Sequence, residues 1–230
     1  MTNTVRWAIG VAAVCGTLAA SLAQAQTFDV NLGNKKLGSL TYGRAAKGET
    51  LRSNLNNTPL GVFNGTFKAS SRPIQSSSGT KARKYQGLSK SSRKTRKITL
   101  LIAAGRAVET GINPATERTD LSDINRVPRD VIDPVGAIGR LILAQGCPKE
   151  FTIYDGRRAI RLKPNGSKKE ADLLTCAIQY KVIAGPGPLS PLYISSVKMQ
   201  VQYDFSSDRQ ELTQMKLGAG LFSLVLSRKD

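Results

Sequence analysis

The stretch YISSVKMQVQYDF, Tyr193 to Phe205, alternates: Val197, Met199, Val201, Tyr203 and Phe205 are apolar, and Lys198, Gln200, Gln202 and Asp204 stand between them. A two-residue period is that of a β-strand with one buried and one wet face. The same test passes at Phe28, Val30 and Leu32, and again at Cys176, Ile178, Tyr180 and Val182. One wet face per strand is the habit of antiparallel sheets, because the strands of a parallel sheet are covered on both sides. The chain reads as mainly β.

Turn residues divide the strands. Gly33-Asn34-Lys35-Lys36, Asn64-Gly65, Ala104-Gly105 and Pro164-Asn165-Gly166 each stand between strand-like segments. In FTIYDGRRAIRL, Phe151 to Leu162, two short strands fold about Asp155-Gly156. A two-residue turn there sets Ile153 opposite Arg158 and Phe151 opposite Ile160, and gathers Phe151, Ile153, Ile160 and Leu162 on one face. The prolines of AGPGPLSP, Ala184 to Pro191, keep that run out of a sheet interior. Usual strand lengths then give about ten strands.

One helix interrupts them. Asp133 is a suitable N-cap and Pro134 suits the first helical position; Val135, Ile138, Leu141 and Ile142 share a face, and Gly146 ends the segment. A lone amphipathic helix beside a long sheet is best used to cover its concave face. The expected architecture is a strongly curved antiparallel sheet or open β-barrel of about ten strands with one helix packed on it.

The first residues carry a cation at Arg6, an apolar run from Trp7 to Leu22 and the small-residue site Ala23-Gln24-Ala25. That order is the pattern of a secretory signal peptide over residues 1–25, cleaved after Ala25, which leaves one domain over residues 26–230. The expected location is the periplasm, and the mature chain holds no apolar run of membrane-spanning length. Cleavage removes Trp7 and Cys15, so two of the three cysteines remain, Cys147 and Cys176. In an oxidising compartment an even pair reads as a disulfide, the alternative being two buried thiols. The bridge would close a loop of about 30 residues, worth about 3–4 kcal/mol in the chain-entropy model. It would fasten the helix's end to the sheet.

Lysine and arginine number 34 against 16 acids, a net charge of +18 that falls to +17 when Arg6 leaves with the leader. A surplus of that size favours anionic partners. It is uneven: Lys68 to Lys97 holds ten cations and no acid, whereas Glu109 to Asp133 holds six acids against Arg118, Arg126 and Arg129. Lys81, Arg83, Lys84, Arg93, Lys94, Arg96 and Lys97 form a candidate anionic-ligand surface for an envelope lipid or polymer, with strong salt dependence. Solvated strand faces that keep the protein soluble are the competing reading. Nucleic acid is set aside, because an exported protein seldom meets it and Tyr85 is the lone aromatic among these cations.

The chain has no histidine. Histidine-based triads and histidine metal sites are therefore excluded, and a bridged cysteine pair removes thiolate chemistry as well. Asp120 and Asp123 are candidate paired carboxylates for a hydrolase, but their polar setting suits turn or capping residues better. No enzymatic activity, cofactor or metal is expected.

FDVNLGNKKLGSLTY (28–42), AAGRAVETGINP (103–114), DPVGAIGRLILAQGCPKEFTIYDGRR (133–158) and TCAIQYKVIAG (175–185) together resemble an uncharacterised family of exported bacterial proteins, a domain of unknown function numbered in the three-thousands (DUF3108-like). The resemblance spans nearly the whole mature chain and rests most on Asp133-Pro134, Cys147, Tyr154 to Arg158, Cys176 and Ile183-Ala184-Gly185. It implies an envelope protein with a strongly curved antiparallel sheet and paired cysteines, and no activity. The functional expectation is a non-enzymatic periplasmic protein that binds or shields an apolar, lipid-like or anionic envelope ligand. The alternative is an assembly factor that binds another envelope protein. The sequence does not fix an oligomeric state.

Overall fold

A computed structural model describes residues 24–56, 64–75, 79, 81–92, 94–187, 196–207, 210–219 and 222–229. Of the expected leader only Gln24 and Ala25 are among them. Both belong to the first strand, where they face Arg44 and Gly43.

Among the described residues fourteen strands form one sheet. In chain order they are β1 (Gln24–Leu32), β2 (Lys35–Ala45), β3 (Gly48–Leu55), β4 (Gly65–Gln75), β5 (Lys81–Ser91), β6 (Thr95–Ala103), β7 (Arg106–Asn113), β8 (Val131–Ile132), β9 (Phe151–Tyr154), β10 (Ala159–Glu170), β11 (Leu173–Ala184), β12 (Ser196–Asp204), β13 (Glu211–Ala219) and β14 (Phe222–Arg228). Their order in the sheet is β7-β6-β5-β4-β3-β2-β1-β14-β13-β12-β11-β10-β9-β8. The chain winds out from β1 to one edge, crosses over, and winds back from the other edge to place β14 beside β1. All neighbours are antiparallel except β8 and β9, which are parallel. The expectation of about ten strands is corrected to fourteen.

The sheet curls into a nearly closed barrel, and its two edges meet through side chains and single bonds rather than a ladder. Val131 N–H donates to Gly105 O at 2.9 Å. The Tyr154 hydroxyl lies 2.9 Å from Thr110 Oγ1 and donates to Leu121 O at 2.5 Å. The crossover contains three single-turn 3-10 helices, Ala115–Glu117, Asp120–Ser122 and Ile124–Arg126, which contact β7. Covering an edge in this way removes a template for unwanted strand pairing.

The period-two segments behave as the sequence predicts. Val197, Met199, Val201 and Tyr203 are buried, as are Phe28, Val30, Cys176, Ile178 and Val182. The hairpin differs in register. Ile153 faces Ile160 and Phe151 faces Leu162, so four residues, Asp155 to Arg158, make the turn instead of two. A slip of two leaves every side chain on its original face, and Phe151, Ile153, Ile160 and Leu162 still share one. The Asp155 carboxylate sets the larger turn by accepting from the N–H groups of Arg157 and Arg158, each at 2.9 Å. Gly156 has φ +93°, and a Cβ there would lie 2.8 Å from Ile98 Cγ2, so the turn is wedged against β6. Pro164-Asn165-Gly166, expected as a turn, lies inside β10, where the register shifts. On β10, β9 pairs with Ala159–Leu162 and no further, so Pro164 has β11 alone beside it, and an edge-like position tolerates the missing donor.

The helix, α1, spans Pro134–Ile142 and ends at Leu143, three residues before Gly146. Asp133 Oδ1 caps it by accepting from Val135 N–H at 3.0 Å and Gly136 N–H at 2.9 Å. The helix lies against β3, β4, β9 and β13, plugging the barrel. At its C-terminal end the Tyr203 hydroxyl donates at 2.8 Å to the carbonyl of Leu141, in the last turn, where carbonyls lack intrahelical partners. A Cβ on Gly139 would come within 2.7 Å of the Tyr42 hydroxyl. Cys147 and Cys176 are joined, with Cα atoms 5.6 Å apart, tying the segment after α1 to β11. Among the described residues no helix is long and apolar enough to cross a membrane.

Candidate functional site

Packing α1 into the barrel leaves a cavity of about 420 Å³ on one side of the helix. Ala137, Ile138 and Leu141 of α1 form one wall. Ile160, Leu162, Met199, Met215 and Leu226 come from β10 and β12–β14, and Leu51, Phe67 and Tyr85 complete the wall from β3–β5. The two methionines are polarisable and flexible enough to fit varied apolar shapes.

One end of this cavity is charged. Arg96, Asp155, Arg157 and Arg158 line it together with Ser89. Glu117 gathers three cations: Lys94 Nζ at 2.8 Å, Arg96 through Nη2, and Arg157 Nη2 at 3.3 Å. Arg157 Nε also donates to the Glu117 main-chain oxygen at 2.6 Å. Arg158 Nε donates to Asp155 Oδ2 at 2.7 Å, and its Nη1 donates to Gly187 O at 3.3 Å.

The electrostatics follow from this crowding. The hydrogen bond from Lys94, with help from Arg96 and Arg157 and against the effect of burial, holds the Glu117 carboxyl below its ordinary value. Burial and then the neighbouring Arg96 charge lower the basicity of Arg157. Burial works against the Arg158 charge too, but Asp155 outweighs it and the net shift is upward. The three arginine side chains keep 20, 21 and 24% of their surface exposed, whereas Leu162 and Met215 at 2% are buried. The charged end therefore meets solvent, and the apolar part lies inside.

The candidate cations read from the sequence do not form one surface. Strand alternation divides them. Arg96 faces the cavity and Lys94 joins it at Glu117. Arg83 lies toward the other end of the barrel, where it pairs with Glu49 and donates to Ser71 Oγ at 3.0 Å, with Nε 3.6 Å from Asp133. Lys81 lines an open cleft of about 1530 Å³ on the far side of α1. Lys84 and Lys97 are exposed on the outer wall, and Arg93 lies outside the described residues. The outer wall carries more charge than the sequence disclosed. Register places Arg52 opposite Lys68 and Arg72 opposite Lys84, on the same face as Lys90 and Lys97. All six are exposed, and none is in an ion pair among the described residues. Like charges directly opposite one another destabilise a sheet, so this arrangement is not explained by folding alone.

Asp120 and Asp123 are turn residues. Asp123 Oδ1 accepts from Asn125 N–H at 3.0 Å, and Arg126 lies 3.5 and 3.9 Å from the two carboxylates. Arg157 and Arg158 were read from the sequence as hairpin residues and not as candidate ligand-binding cations, although two adjacent arginines in a tight turn between apolar strands were the available signal.

No family model matches the chain, so membership of the particular family suggested by its residues gains no support. No curated protein matches it. Among solved structures the chain is similar to a crystallised β-barrel-like protein of a domain of unknown function, DUF1849, from Brucella abortus. The identity is 12% and the TM-score 0.47, over 91% of this chain and 97% of that one.

Proposed function

We propose that the protein is a non-enzymatic periplasmic binder or shield for an apolar, lipid-like group, with its basic outer wall turned toward the anionic cell envelope. The observation that carries this reading is the cavity of about 420 Å³ inside the barrel, walled by apolar residues of α1 and of strands from both halves of the sheet. Cavities of roughly 300–1,000 Å³ are the size that small ligands occupy, and each methylene buried there contributes about 0.8 kcal/mol. The cavity's phenols, Tyr85 and Tyr180, are pushed above their ordinary values by burial, away from the neutral range where general acid–base catalysis works. That supports a binding role over a catalytic one.

The alternative, an assembly factor docking a partner at a sheet edge, is the weaker reading. One edge strand is contacted by the 3-10 helices and the other is two residues long. Much of the Pro/Gly loop of the alternative lies outside the described residues. Native mass spectrometry of protein released from the periplasm tests the proposal. It should show a chain shortened by its leader and carrying an extra apolar mass. A clean apo mass, with no thermal protection by single-chain amphiphiles, would refute it.

A further inference from the structure

Resting on the reading of the cavity as a site for an apolar chain, we propose that Arg96, Arg157 and Arg158 receive the oxyanion head of that ligand, which makes the ligand class a single-chain anionic amphiphile. The three guanidinium groups stand on the wall of the same cavity as Ile160, Leu162 and Met215, so a chain among the latter brings its polar end to the former. The local charge does not balance. Among the described residues Lys94, Arg96, Arg157 and Arg158 face only Glu117 and Asp155 in this cluster, which leaves two positive charges unmatched there. Burial, and after it the neighbouring Arg96 charge, lower the basicity of Arg157, and an arriving anion relieves the repulsive part.

Donors are left over as well. Arg96 Nε–H is buried and has no hydrogen-bond partner among the described residues, an arrangement that native interiors seldom leave unanswered. A guanidinium carries five N–H donors in a planar fork that fits carboxylate and phosphate oxygens in pairs. Here Arg96 spends one through Nη2, and Arg157 and Arg158 spend Nε and one terminal nitrogen each. A purely structural role accounts for the bonds of Arg157, which pin the turn to the 3-10 helix at Glu117, and for those of Arg158, which hold the turn to Asp155 and Gly187. It does not account for the idle Nε of Arg96 or for three guanidiniums gathered at one end of a largely apolar cavity. The cavity's size, near the lower end of the range for small-ligand sites, selects one chain rather than two.

The test compares dodecanoate, dodecyl phosphate and dodecanol, below micelle-forming concentrations, by titration calorimetry on the full mature protein. The proposal predicts that wild type binds the carboxylate at least about tenfold tighter than the alcohol, as charge-assisted hydrogen bonds imply. In Arg96→Gln the gap closes to about threefold or less, and Arg96→Lys restores part of it. The ratio of phosphate to carboxylate affinity in wild type identifies which head the site prefers. Equal binding of carboxylate and alcohol by wild type, which needs no variant, overturns the head-group assignment and leaves the cavity reading standing. Binding of none of the three overturns the cavity reading itself.

Discussion

Ser71 and Asp133 are 62 residues apart in sequence, yet the Ser71 hydroxyl donates to Asp133 Oδ2 at 2.7 Å in the buried interior. The same carboxylate caps α1 through its other oxygen. One acid therefore starts the helix and bolts it to the inner face of β4. Asp133→Ala removes the cap and leaves the buried Ser71 hydroxyl without its acceptor, and should cost about 2–4 kcal/mol in urea unfolding. Ser71→Ala loses one hydrogen bond and should cost about 1 kcal/mol. Equal, near-zero losses in both variants would contradict this role.

The disulfide is the second fastening of the same helix. Cys147 and Cys176 enclose a sequence separation of 29, so replacing both with serine should lower stability by about 3–4 kcal/mol on the chain-entropy model. Since the bridge follows α1 and Asp133 precedes it, the variant should also weaken binding in the cavity that α1 walls. A reduced protein as stable as the oxidised one would remove the bridge from the account.

The buried phenols predict the alkaline limit. Burial pushes Tyr154 up to about 12, against a lowering contribution from its Thr110 hydrogen bond, and raises Tyr42, Tyr85 and Tyr203 as well. A raised folded value means stability that is fully present below the ordinary value of 10.0 and is lost as pH climbs through the folded value. Glu117 has the opposite sign. Its folded value is depressed, so its contribution is present above 4.5 and fades as pH falls further. Phenolate absorbance should therefore rise together with loss of circular dichroism, not before it. Phenols that titrate near 10 in folded protein would contradict the burial argument.

The outer wall predicts salt-sensitive attachment to anionic vesicles. Each cation near such a surface contributes about 1 kcal/mol, so Lys84→Glu with Lys97→Glu should weaken co-sedimentation by about tenfold or more, and high salt should abolish it. Charge removal at Lys94, which already serves Glu117, should matter less. Equal binding to anionic and neutral vesicles would end the idea.

Particular residues show how much of this was legible beforehand. The strands with Phe28, Cys176 and Val201 announce themselves because large apolar residues alternate with polar ones, and Asp133-Pro134 marks the helix start by local chemistry alone. The early strands are harder to see, since the inner face of β4 includes the small residues Ala69 and Ser71, and Ser71 bonds the residue that caps α1. That is why the strand count fell short. Pro164 looked like a turn because its edge-like position on β10 depends on where β9 stops. The basic run looked like one surface, but alternation sends Arg83 and Arg96 inward and Lys84 and Lys97 outward. The arginine end of the cavity was invisible for a related reason. Arg96, Glu117 and Arg157 come together only when the seam closes.

The central claim is that the barrel interior takes up an apolar molecule, and titration with a neutral, environment-sensitive fluorescent probe tests it most directly. Wild-type protein should bind the probe saturably at one site. Ile138→Trp, which places a large ring on the cavity side of α1, should abolish binding while leaving the circular dichroism and unfolding midpoint close to wild type. Unsaturable binding, or identical titrations for the two proteins, would contradict the account.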